Sequence, residues 1–76
     1  MQSINISLNS IEKVKGFVNI IATINGDFDL VSERYTVDAK SIMGIFSLDL
    51  TKNLRLDIYD DSNVDEVKSK LKDYLV

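Results

Sequence analysis

The chain has 76 residues, 45% of them apolar and 28% charged, a size and composition that exclude two ordinary domains and intrinsic disorder. It holds no cysteine and no histidine, which excludes a disulfide framework, thiolate chemistry and the usual soft-metal sites, so no metal and no cofactor is expected. The formal net charge of -3 disfavours direct binding to a nucleic-acid backbone, and no apolar run approaches the ~20 residues that span a bilayer.

The chain starts Met1-Gln2-Ser3-Ile4-Asn5, without a basic region followed by an apolar core, so a cytoplasmic location is expected. Ile4, Ile6 and Leu8 alternate with Asn5 and Ser7, the period of a strand with one buried face. The period then changes. Ile11, Val14, Phe17, Val18, Ile21 and Ile24 form the stripe of an amphipathic helix, stopped by Asn25-Gly26. Its cap is either Asn9, which with Glu12 makes a capping box, or Ser10 alone.

Phe28 to Val31 and Tyr35 to Val37 are β-branched or aromatic segments around Ser32-Glu33-Arg34, which predicts an antiparallel hairpin. Ser41 to Leu48 reads as a short helix with a serine cap. Leu54, Leu56 and Ile58 alternate with Arg55, Asp57 and Tyr59 as a last strand, and Val64, Val67, Leu71, Tyr74 and Leu75 make a final helical stripe with Lys68, Lys70 and Lys72 toward its C-terminal end. The order β-α-β-β-α-β-α, with no repeat, linker or proline, predicts one α+β domain over residues 1–76, helices covering one face of an antiparallel sheet whose other face meets water.

Residues Lys40-Ser41-Ile42-Met43-Gly44-Ile45-Phe46-Ser47-Leu48 resemble the K-S-I-M-G-V-M-S-L segment of HPr, the phosphocarrier protein of the bacterial sugar phosphotransferase system. The resemblance extends without a gap through Val37 and Asp38, the hairpin and the first helix. It implies an open-faced β-sandwich: a four-stranded antiparallel sheet with three helices on one face. It also implies a chain that meets other proteins; with no P-loop, no G-x-S-x-G and neither histidine nor cysteine for acid-base or covalent chemistry, no enzymatic activity is expected.

In the HPr family the phosphoryl group rides on a histidine in the pattern G-[IL]-H-A-R-P, at a helix start where free N–H groups and the dipole favour an anion. The ungapped register places Leu8-Asn9-Ser10-Ile11-Glu12-Lys13 there. Ser10 stands at the position of the histidine and Glu12 at that of the arginine. A protonated phosphoimidazole has a good leaving group, whereas a serine phosphate is a stable ester, so Ser10 is no relay; as a helix cap it needs no other role. Glu12 would repel a phosphate by about 1 to 4 kcal/mol at contact.

The resemblance gives Ser41 a second meaning. The matching serine of the low-GC Gram-positive branch is phosphorylated by an ATP-dependent HPr kinase, and a paralogue without the histidine keeps that serine and acts as a co-repressor in carbon catabolite repression. A phosphate at a helix start gains dipole and hydrogen-bond stabilisation, and an unmodified cap is the plain alternative. The resemblance also places Ile42, Met43 and Phe46 on the exposed, partner-binding side of the short helix, with Ile45 and Leu48 on another side. Expected partners are therefore proteins: an HPr kinase, and a transcriptional regulator or other member of the phosphotransferase network. A module that binds proteins without any switch stays open beside this reading. The acidic residues Asp27, Asp29, Asp57, Asp60, Asp61, Asp65 and Glu66 lack a calcium-loop spacing and read as solvated turn and helix-start positions.

Overall fold

The computed structural model describes residues Met1–Val76. Its elements are β1 (Gln2–Ile6), α1 (Ile11–Ala22), β2 (Phe28–Ser32), β3 (Tyr35–Asp38), α2 (Ile42–Phe46), β4 (Leu54–Ile58), a 3-10 turn over Asp61–Asn63 and α3 (Val64–Lys70). The four strands form one antiparallel sheet in the order β1-β4-β2-β3. The last strand thus inserts between the first and second, which run parallel to each other. The architecture is the four-stranded open sheet with three helices that the sequence predicts.

Register sorts the side chains into two faces. Ile4, Leu56, Leu30 and Val37 lie side by side across the sheet on the helix side. One residue along each strand, Ser3, Asp57, Asp29 and Asp38 form the equivalent row on the open side. The core consists of 17 buried apolar residues, with Phe17 of α1 and Phe28 of β2 the largest. Val14, Phe17 and Ile21 of α1, Ile45 of α2, and Val64 and Val67 of α3 all point into it. Each fully buried Ile, Leu, Val or Phe removes enough surface from water to contribute about 1.5 to 3 kcal/mol. No helix is long and apolar enough to cross a membrane.

Several boundaries differ from the sequence pattern. β1 ends at Ile6, although Leu8 continues inward and is buried. The hairpin turn is Glu33-Arg34, because Ser32 pairs with Tyr35 as part of β2. Glu33 has φ 52, the left-handed region, and its carboxylate meets Lys52 at 2.6 Å.

α1 stops at Ala22 because Thr23 closes it, with both its N–H and its hydroxyl donating back to the Ile20 carbonyl. Ile24 is buried beyond the helix end. At the other terminus α3 ends at Lys70, and the expected stripe through Leu75 breaks. The chain turns back to β1 instead, where Ser7 N–H donates to Tyr74 O at 2.9 Å and Val76 N–H to Asn5 O at 3.1 Å. Tyr74 packs edge-on against Phe17, with its hydroxyl over Gly16, where a larger residue would meet it. This strap covers part of the outer edge of β1, which would otherwise present unpaired N–H and C=O groups.

Candidate functional site

The two serines marked by the sequence are both helix caps. Ser10 is the N-cap of α1, its Oγ accepting from Lys13 N–H at 3.1 Å, so the open choice at this end falls to Ser10 and the Asn9–Glu12 box does not form. Ser10 is exposed, and so are Ile11 and Glu12 after it. The Glu12 carboxylate sits in the first turn of α1, where the dipole favours an anion and where it would oppose a second one.

Ser41 is the N-cap of α2, accepting from Gly44 N–H at 3.2 Å, and its side chain is exposed. Ser47 ends the helix by donating its hydroxyl to Gly44 O at 2.5 Å. Gly44 lets the helix lie close to the sheet: a Cβ there would come within 3.2 Å of Val37 Cβ. Lys40, just before the cap, is exposed but its ammonium is engaged by the protein itself. Its Nζ donates to Ile24 O at 2.9 Å and lies 5.5 Å from the centre of the Phe28 ring. The lysine of the HPr-like segment therefore fastens the start of α2 to the chain leaving α1, a role that sequence spacing does not reveal.

α2 divides its apolar residues between two environments. Ile45 is fully buried and Leu48 nearly so, while Met43 is 79% and Phe46 42% exposed. Ile42 departs from the expected exposed face. It is half-buried and packs against the core, because the close seating of α2 through Gly44 brings its first turn down onto the sheet. The exposed apolar surface of this helix thus centres on Met43 and Phe46.

A second correction concerns Asp57, expected in solvent and found 5% exposed on the open face. Ser3 Oγ donates to Asp57 Oδ1 at 2.7 Å, and Arg55 grips both oxygens, Nε to Oδ1 at 2.8 Å and Nη2 to Oδ2 at 3.2 Å. Burial alone would raise this carboxyl, but the hydrogen bonds from Arg55 and Ser3, with the Arg55 charge, outweigh it and hold the pKa below the ordinary carboxylate range. Because the folded pKa is depressed, the group stabilises the fold above its unfolded pKa of about 3.9, and that contribution is lost as pH falls through the lower folded value. Asp57→Asn should therefore cost about 1 to 2 kcal/mol at neutral pH, a modest figure because Arg55 is more exposed than buried. The difference from the parent should vanish in acid. Urea melts across a pH series check this; a deficit that persists at the acid end would contradict the role given to the charge.

Beside Asp57, a recess of about 320 Å³ is lined by Asp27, Phe28, Asp29, Asp38 and Tyr59. Tyr59 donates its hydroxyl to Asp29 at 2.5 Å, and that hydrogen bond raises the phenol pKa, with lesser contributions from burial and the surrounding aspartates. Its carboxylates are not gathered into a group that could hold a metal ion.

With the sheet order and helix positions established, the fold is that of HPr. A crystal structure of HPr-C-His from Thermoanaerobacter tengcongensis superposes with a TM-score of 0.79 at 24% sequence identity, over 96% of this chain and 89% of that one. A phosphocarrier protein HPr from Bacillus anthracis str. Ames superposes with a TM-score of 0.66, also at 24% identity, over 99% of this chain and 94% of that one. No protein-family model matches the sequence, and no curated protein matches it.

Proposed function

We propose that the chain, as one HPr-like domain over residues 1–76, is a non-enzymatic regulatory adaptor of the phosphotransferase and carbon catabolite network in the cytoplasm. It docks protein partners through Met43 and Phe46, with Ile42 at the base of the patch, and is switched by phosphorylation on Ser41. It carries no phosphohistidine, since the sequence contains no histidine. The observation that carries the docking surface is the division of α2, in which Ile45 holds the helix to the core while Met43 stands 79% exposed beside it. An exposed methionine next to an aromatic side chain suits an adaptable recognition surface.

Ser41 supports the switch by its exposure and its place at a helix start, where a phosphate keeps a capping oxygen and adds charge that a basic partner site can read. The Glu12 carboxylate selects a different partner chemistry from that of an HPr with arginine at this position, favouring a more basic docking site. The switchless binding module is favoured instead by one observation: Ser41 Oγ already has a structural task as a cap.

Incubation with an ATP-dependent HPr kinase and peptide-level mass spectrometry separates the two. A single phosphate on Ser41 is the expected result. An unmodified Ser41 would leave the switchless module.

A further inference from the structure

We infer that Asn25 is a site of spontaneous backbone modification in the folded protein, converting through a cyclic imide to aspartate and isoaspartate. The turn between α1 and β2 dictates the residue that follows it. Gly26 has φ +123, and a Cβ there would fall 2.6 Å from Asn63 Nδ2, so the position requires glycine. With no side chain, Gly26 leaves its own amide nitrogen unshielded next to the Asn25 carboxamide. Both residues are exposed, and Gly26 N–H donates no hydrogen bond.

The reacting groups are free while the surrounding backbone is held. Lys40 Nζ donates to Ile24 O on one side, and Asn63 Nδ2 donates to Asn25 O at 2.6 Å. The Asn25 side chain itself makes no hydrogen bond that would have to break first. Every other asparagine precedes a bulkier residue: Ile6, Ser10, Ile20, Leu54 or Val64. Most of these are β-branched, and their side chains crowd the approach of the amide nitrogen.

The chemistry needs only water and base from solvent. Gly26 N loses its proton and bonds to Asn25 Cγ, the Cγ–Nδ2 bond breaks, and the side-chain nitrogen leaves as ammonia. Water then opens the imide. Cleavage of the new Cγ–N bond yields aspartate, and cleavage of the original backbone C–N bond yields isoaspartate, with the chain rerouted through the side chain. Either product adds one negative charge just beyond the C-terminal end of α1, beside Asp27, where the helix dipole disfavours an anion. The isoaspartate also displaces the carbonyl that Asn63 holds.

The test is incubation of the folded protein at mildly alkaline pH, followed by isoelectric focusing, peptide mapping and labelling with an isoaspartyl methyltransferase. The expected result is an acidic shift with loss of the Asn25 peptide before that of any other asparagine, and labelling abolished in Asn25→Gln, a surface substitution that leaves the turn glycine in place. A parallel incubation in denaturant supplies the reference rate. Reaction first at Asn9, or an Asn25 protected in the native protein relative to the denatured chain, would overturn the inference.

Discussion

Ile45→Ala should destabilise the fold by about 2 to 5 kcal/mol, and Met43→Ala, two residues away on the same short helix, by less than about 0.5. The contrast follows from burial. Ile45 is fully enclosed and loses both its transfer free energy and the packing around the cavity left behind, whereas Met43 is already largely in water. Leu48→Ala belongs with Ile45, and Phe46→Ala should fall between, at about 1 kcal/mol, because more than half of its surface is covered. A small domain has about 5 kcal/mol or somewhat more in total, so Ile45→Ala approaches the point of unfolding, and Ile45→Val, at about 0.5 to 1.5 kcal/mol, gives a measurable fallback. Urea melts decide it without any knowledge of the partner. An unfolded Met43→Ala beside a robust Ile45→Ala would mean that α2 is rotated and the docking surface does not exist.

Introducing histidine by Ser10→His alone should produce little phosphoryl acceptance from phosphoenolpyruvate through the general enzyme I. Adding Glu12→Arg should raise it by about fivefold to a thousandfold. That range follows from removing a repulsion of about 1 to 4 kcal/mol between unit charges in contact at the same helix start. The substitution has a structural side too: Ser10 Oγ caps Lys13 N–H, and its loss should cost about 1 kcal/mol. Acid-labile phosphate measured on the single and double variants, with melting curves for both, separates a chemical failure from a folding one. Full acceptance by the single variant would show that Glu12 does not oppose the phosphate.

The features legible in the sequence are those fixed by neighbours in the chain. Ser10 and Ser41 cap their helices through bonds to the residue three positions on, and the hairpin follows from two β-rich segments around a polar turn. What escaped depends on distant partners. Asp57 looks like one more exposed acid until β1 brings Ser3 to it across the sheet, although Arg55 two positions away on the same strand face was a visible hint. The terminal stripe through Leu75 satisfies helical spacing equally well whether or not the chain leaves to pair with β1, and only the non-local bonds to Asn5 and Ser7 decide. Ile42 lies on the same side of a helical wheel as Met43, but the wheel carries no information about how closely Gly44 lets α2 approach Val37.

A chain without histidine puts the HPr fold to use without a phosphohistidine relay. The most direct measurement is incubation of the unmodified protein with enzyme I and phosphoenolpyruvate, followed by assay of acid-labile phosphate, with an HPr that carries the histidine as positive control. None is expected on this chain, because no histidine is present and Ser10, beside Glu12, offers neither the leaving group nor the charge that transfer requires. An acid-labile phosphate on this chain, at any residue, would contradict it.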